Sequence, residues 1–187
     1  MRLTKEELIE KYRDWNTHHD WWDFVYDNFR ETLDNEGVNV GEISFEGFYH
    51  QGSYADFTGR VYNVPLFMEK NNMVDDYPML YKLAGLDGVD ISQSDSGRRR
   101  SSYIDIEIGD WEYHLPDMDE SMQEYYIALY QADTDIEISG FEEKVRDVLE
   151  EHARDLYKTL QEEYEHLCSD EVVWETIQCN EWDKEVA

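Results

Sequence analysis

The amino-acid sequence predicts an α+β fold, with a small antiparallel sheet of hairpins packed against N-terminal helices and a long C-terminal helix. Three observations carry this. Apolar residues recur at three- and four-residue spacing near both ends of the chain. Between them, short runs alternate apolar and polar residues with a period of two. The runs do not follow the regular strand–helix–strand order of a doubly wound sheet.

Thr4-Lys5-Glu6-Glu7 fits a capping box and opens a short helix to about Trp15. A second helix is expected from about Thr17, with Trp22, Val25, Tyr26, Phe29 and Leu33 on one apolar face and Gly37 as its left-handed stop. Ile43, Phe45 and Gly47 alternate with polar residues, Gln51-Gly52-Ser53 breaks the run, and Ala55, Phe57 and Gly59 resume it. This predicts an antiparallel hairpin over residues 43–62 with its turn near Gly52. Gly47 and Gly59 within the strands suggest a bulge or a close backbone approach. A helix is expected over Asp75–Leu86 with Met79, Leu80 and Leu83 inward.

Tyr103-Ile104-Asp105-Ile106-Glu107-Ile108 returns to period two, with isoleucines on one face and carboxylates on the other, and Asp133-Thr134-Asp135-Ile136-Glu137-Ile138 nearly repeats it. A short helix over Ser121–Gln131 would join these two strands. A long helix is then expected from Phe141 to about Leu167, with Phe141, Val145, Val148, Leu149, Leu156, Leu160 and Leu167 as its buried stripe. Ser169-Asp170 caps a last helix to about Gln178.

Residues 1–187 read as one domain, because no Pro/Gly/Ser-rich linker or low-complexity run divides them. Apolar residues make up 41% and aromatics 14%, enough to fill a core and to exclude a disordered acidic tail. Cys168 and Cys179, eleven positions apart, imply neither a disulfide scaffold nor a zinc site. The N-terminal residues lack a signal peptide's apolar core, and no apolar stretch approaches the ~20 residues of a membrane span. A soluble, cytoplasmic protein is the expectation.

Forty-five Asp and Glu stand against sixteen Lys and Arg, a net charge of −29. Such a field disfavours contact with nucleic acid or anionic lipid. Residues 101–140 hold eleven acids and no Lys or Arg. The long helix differs, because Arg146 and Glu150, Glu150 and Arg154, and Lys158 and Glu162 form i,i+4 pairs of opposite sign. A halophile-style solubility surface is disfavoured, since Trp and Tyr are abundant and seven Lys remain.

Motifs of catalysis are missing: there is no P-loop, dinucleotide fingerprint, nucleophile elbow or H-E-x-x-H. His18-His19-Asp20 gathers potential metal ligands, but adjacent histidines on a helix point about 100° apart, which favours exposed imidazoles over a chelate. Asp117-Met118-Asp119 and Asp133-Thr134-Asp135 begin like calcium loops, yet lack Gly at the sixth position and Glu at the twelfth, which leaves only an irregular calcium site. Cys168 lies too close to His166 on one helix for a nucleophile and base. Carboxylate pairs of the glycosidase kind are too numerous to carry a signal. Arg98-Arg99-Arg100 is the one basic run, better suited to neutralising neighbouring carboxylates than to holding phosphate. No cofactor or metal is implied.

Three stretches resemble a family of small acidic proteins of tailed bacteriophages. They are Trp21-Trp22-Asp23 with Val25-Tyr26-Asp27; Ile43-Ser44-Phe45-Glu46-Gly47-Phe48-Tyr49-His50-Gln51-Gly52 through Ala55-Asp56-Phe57-Thr58-Gly59-Arg60; and Tyr164-Glu165-His166-Leu167 with Ser169-Asp170-Glu171 and Asn180-Glu181. The resemblance implies a phage origin and a bacterial cytoplasm, and brings no catalytic residues. Small phage proteins without catalytic motifs often inhibit host nucleases, restriction enzymes, CRISPR complexes or polymerases, an argument by analogy.

The expected function is therefore inhibition of a host nucleic-acid-binding protein or defence complex by an acidic, DNA-mimicking surface, without enzymatic activity. Its contact residues would be Asp105, Glu107, Asp110, Glu112, Asp117, Asp119, Glu120, Glu124, Asp133, Asp135 and Glu137, with the two isoleucine strands presenting their carboxylates about 6.6 Å apart on one contiguous surface. No direct nucleic-acid or membrane contact is expected, and a homodimer is left open. The alternative is a small enzyme or ligand-binding domain with its site near the 47–60 hairpin, where His50, Gln51 and Arg60 flank glycines that let a ligand approach the backbone.

Overall fold

In the computed structural model, which describes residues 3–85, 89–95, 102–108, 120, 123 and 134–185, one face of a four-stranded antiparallel sheet is covered by helices. The strands β1 (Val38–Phe45), β2 (Ala55–Val61), β3 (Val89–Asp95) and β4 (Ser102–Ile108) lie in sequence order across it. The helices are α1 (Lys5–Tyr12), α2 (Asp23–Asp34), α3 (Val64–Lys70), α4 (Pro78–Ala84), α5 (Thr134–Leu167) and α6 (Asp170–Cys179). The α+β class is as the sequence predicts.

The Thr4 capping box forms, with Thr4 Oγ1 accepting from the Glu7 amide at 3.2 Å and Glu7 Oε2 accepting from the Thr4 amide at 2.8 Å. Helix α1 stops at Tyr12, and a 3₁₀ turn at Trp15–Thr17 follows. Helix α2 starts at Asp23, six residues later than expected, but keeps its predicted face: Val25 and Leu33 are buried, and Trp22, Tyr26 and Phe29 pack beside them. Gly37 is left-handed at φ 84°, and a Cβ there would lie 2.7 Å from the Asn63 carbonyl oxygen. Only glycine suits both demands.

The hairpin forms with the predicted alternation. Val38 pairs with Val61 and Phe45 with Ala55, and a bulge interrupts the register between Val40 and Ile43. Residues 46–54 make a wide turn closed by the Glu46 amide donating to Tyr54 O at 3.0 Å. Gly59 is the close approach the sequence suggested, because a Cβ there would lie 2.9 Å from Asn39 O. Helix α4 begins at Pro78, whose missing N–H suits the first helical turn, and buries Leu80 and Leu83. Two elements were not read from the sequence, α3 and β3. Asn63 caps α3, its Oδ1 accepting from Leu66 N at 3.1 Å, and β3 turns Val89, Ile91 and Gln93 inward.

Within the expected strand 133–138, the described residues do not form a strand. Residues 134–138 are the first turns of α5. Six alternating residues fit both periods, and Ile138, Phe141, Val145 and Leu149 extend the helical one at spacings of three and four. The expected helix over 121–131 lies outside the described residues except at Gln123, and Arg98–Arg100 lies outside them altogether.

The main core joins Leu33 of α2, Phe57 and Val61 of β2, Phe67 and Met68 of α3, Leu83 of α4, Ile91 of β3, Ile104 of β4, and Phe141, Val145 and Leu149 of α5. A second cluster sets Val25 of α2 and Ala55 of β2 against Leu156 and Leu160. A third is formed by the two chain ends, with Leu8 and Ile9 of α1 against Val173 and Ile177 of α6. Ser169 caps α6 as predicted, accepting from Val172 N at 3.4 Å. No described helix is long and apolar enough to cross a membrane.

Candidate functional site

Acidic residues occupy both layers of the molecule, with different surroundings. On β4, Ile104 and Ile106 pack into the core, so the pleat turns Asp105 and Glu107 to the face of the sheet opposite α5. Asp105 lies opposite Ser92, and Glu107 opposite Asp90. Asp90 is held by Arg60, whose Nε and Nη2 donate to its two oxygens at 3.0 and 2.5 Å. That fork offsets the repulsion between facing carboxylates.

The two acidic runs are not a pair of strands, as the sequence reading has them. Asp105 and Glu107 face away from α5, while Asp135 and Glu137 belong to the first turn of that helix. The two runs were joined by assuming two strands, and one is helical. Glu120 is exposed, and Asp110, Glu112, Asp117, Asp119, Glu124 and Asp133 lie outside the described residues.

The more ordered line of charge is on α5, the helix whose sequence also holds the opposite-sign pairs. Glu143, Asp147, Glu151 and Asp155 are all exposed and succeed one another every four residues. Each step advances about 6 Å along the axis, so the four span about 18 Å. None of them has an ion-pair partner among the described residues. Three of the bases of α5 go elsewhere: Arg154 to Glu150 at 3.9 Å, Lys158 to Glu162 at 3.7 Å, and Arg146 to Glu142 at 2.5 Å rather than to the expected Glu150, while the exposed Lys144 follows Glu143 in the chain. Helix α2 packs beside α5 through Val25 and Phe29, and its Asp23, Asp27 and Glu31 repeat the four-residue spacing. Only Asp27 has a base near it, Arg30 at 3.5 Å, among the described residues. His152 of α5 and Glu36, just past α2, tie the two together at 3.1 Å. The signal E-x-x-x-D-x-x-x-E-x-x-x-D was legible in the sequence and was masked by the opposite-sign pairs around it.

His50, Gln51 and Arg60 do not meet. His50 and Gln51 are exposed in the 46–54 turn, where Ser53 Oγ donates to His50 O at 2.9 Å and Ser53 N to the same oxygen at 3.1 Å. Arg60 sits five residues along β2 from Ala55, about 17 Å of strand away. Its guanidinium instead borders an open groove of about 740 Å³ with Asn39, Tyr62, Asn63 and Asp90.

The 46–54 turn is pinned to the far end of α5. Phe48 enters an aromatic group with Phe45, Tyr157 and Tyr164, at ring centroid distances of 4.9, 5.6 and 5.2 Å. Tyr49 adopts φ 62°, a strained value for a non-glycine residue, and its hydroxyl donates to Glu165. That bond, with one from Gln161 at 2.9 Å, holds the Glu165 carboxyl below its ordinary range. At the same end, burial pushes the Cys168 thiol up, the reverse of an activated nucleophile. His18 and His19 are both exposed, and the His18 ring lies 6.0 Å from that of Trp15.

No curated protein and no solved structure matches the chain. A family does. Residues 21–170 hold thirty-five Asp and Glu against eleven Lys and Arg, a net of −24. The chain belongs to the family described as Domain of unknown function (DUF8835), which matches those residues, taking in the sheet and helices α2 to α5 and leaving α1 and all of α6 after Asp170 outside.

Proposed function

We propose that the protein is an acidic decoy that occupies the nucleic-acid-binding surface of a partner protein, using the outer face of α5. The observation that carries this reading is the line of Glu143, Asp147, Glu151 and Asp155, four exposed carboxylates at one spacing without basic partners among the described residues. A DNA strand presents one charge per about 3.4 Å of axis, so the α5 line alone has roughly half that density. The exposed Asp23, Asp27 and Glu31 of α2 add to the negative field, from the side of α2 turned away from Val25 and Phe29. A partner built to neutralise phosphates with Lys and Arg meets carboxylates here at comparable intervals, and association between such surfaces is fast and salt-sensitive. A phage source, which the sequence resemblance implies, makes a host nuclease, polymerase or defence complex the partner class.

The test is graded neutralisation against a partner captured from bacterial lysate. Single changes such as Glu151→Gln should weaken binding about twofold or less, because each exposed charge contributes a screened share. The quadruple Glu143→Gln, Asp147→Asn, Glu151→Gln, Asp155→Asn should remove most of it, and salt should reproduce the loss. A quadruple variant that binds as tightly as the wild type would overturn the proposal.

A further inference from the structure

Three strands set polar side chains side by side on the face of the sheet opposite α5. Val38 and Val40, Phe57 and Val61, and Val89 and Ile91 turn into the core, so the pleat turns Asn39, Arg60 and Asp90 the other way. Asn39 pairs with Arg60 across β1 and β2, and Arg60 forks onto Asp90 of β3. All three line the open groove of about 740 Å³, together with Tyr62, Asn63, Pro65 and Gly85. That volume is in the range of small-molecule sites, about 300–1,000 Å³. Its polar groups are held in place but only partly used. The fork engages Nε and Nη2 of Arg60 and leaves Nη1 without a partner among the described residues. Asn63 Oδ1 accepts from Leu66 N at 3.1 Å, which leaves its Nδ2 hydrogens unused, and the exposed Asn39 amide has no hydrogen bond among the described residues. Tyr62 is 56% exposed, yet its hydroxyl is fixed by Asp34, with O and Oδ1 both at 3.1 Å.

We propose that this groove binds a neutral disaccharide or longer sugar chain, with Asn39, Arg60 and Asp90 on its hydroxyls and the Tyr62 ring against the C–H face of one sugar. The site goes beyond the acidic-decoy reading and does not depend on it. A hydroxyl both donates and accepts, and the groove offers both: N–H groups of Asn39, Asn63 and Arg60, and oxygens of Asn39 and Asp90. Arg60 and Asp90 already neutralise each other, so no net charge is left for a phosphate or an ammonium group. Glu107, opposite Asp90, is not part of the groove's lining, and the negative field of the whole chain opposes anions further. Strands about 4.8 Å apart spread Asn39, Arg60 and Asp90 over about 10 Å. Hydroxyls around linked sugar rings match that spread, whereas a nucleobase gathers its donors and acceptors along one short planar edge. A fixed aromatic ring loses little freedom on binding, and its negative face suits polarised C–H groups.

The test is an NMR titration of the full chain with maltose, cellobiose, lactose and N,N′-diacetylchitobiose, read at the side-chain amide signals of Asn39 and Asn63 and at Arg60 Nε. At least one disaccharide should shift these signals to saturation. Tyr62→Leu removes the ring and should weaken that binding about fivefold. Tyr62→Phe retains the ring and loses the Asp34 bond, and should bind within about twofold of the wild type, which separates a lost sugar contact from a damaged fold. Asn39→Asp keeps the shape, removes the donor and should weaken binding about tenfold. Adenosine and inorganic phosphate are titrated as competing probes. The assignment would be overturned if none of the four disaccharides shifts the signals, or if adenosine or phosphate saturates them more tightly than any sugar. Sugar binding that is unchanged in both Tyr62→Leu and Asn39→Asp would overturn it as well.

Discussion

The face of the sheet turned away from α5 and the outer face of α5 both carry acidic residues, yet they handle charge in different ways. On the sheet, Glu107 and Asp90 face each other across neighbouring strands, and Arg60 is placed diagonally to fork onto Asp90. Cross-strand neighbours stand only about 5 Å apart, so a sheet concentrates like charges unless a counter-charge is interleaved. On α5, carboxylates four residues apart project into water, and their repulsion is weaker and screened. The facing pair on the sheet has a counter-charge at hand, whereas the line of four on α5 has none among the described residues. Composition could not distinguish the two, and their neighbours do.

The strongest way to break the comparison is to remove what both faces share. Phe141 is fully buried, packs edge-on against Tyr77 at 5.2 Å, and joins α5 to the sheet. Phe141→Ala should cost about 3–5 kcal/mol in urea unfolding, and both faces should be lost in one transition.

Next come two changes of opposite sign. Neutralising Glu143, Asp147, Glu151 and Asp155 together removes three like-charge i,i+4 pairs, and should stabilise the fold by about 1 kcal/mol at low salt. The gain should shrink as salt rises, which thermal unfolding at two ionic strengths will read. Arg60→Ala should destabilise by about 0.5–1 kcal/mol, because it leaves Asp90 and Glu107 facing without their fork. If both changes move stability in the same direction, the contrast between the layers is wrong.

The smallest expected effect lies at the aromatic end. The carboxyl of Glu165 is held below its ordinary range first by the Tyr49 hydroxyl and then by Gln161. A depressed folded-state value means the contribution is present above the ordinary carboxylate range and is lost as pH falls through the folded one. Tyr49→Phe should therefore lower the unfolding temperature slightly at neutral pH, and the difference should close in acid. Faster amide exchange over 46–54 in the variant would place the effect in the turn.

Much of this was legible in the sequence, and the misses have physical causes. The Thr4 and Ser169 caps, the α2 face and the 43–62 hairpin rest on neighbours within a few residues, where periodicity and capping chemistry act directly. Helix α3 was announced by Asn63 and Pro65, and β3 by the alternation of Val89, Ile91 and Gln93; both are short enough to pass for connections. The sequence over 133–138 fits either period, and residues 134–138 are helical because α5 is anchored downstream by Phe141 and Val145. The candidate site moved with that error. A charged strand and a charged helix turn read alike in composition, but they point at different layers.

By itself, then, the sequence determined the α+β class, the hairpin, the length of the long helix α5 beyond Phe141, and the excess of negative charge, since each follows from local spacing or from counting. Only the tertiary structure decided that Asp105 and Glu107 face away from α5, that Arg60 serves Asp90 instead of joining His50, and that Tyr62 and Asp90 line one groove. Periodicity tells a residue which side of its own element it occupies. Which element lies on that side is set by packing between segments far apart in the chain, and no local pattern records it.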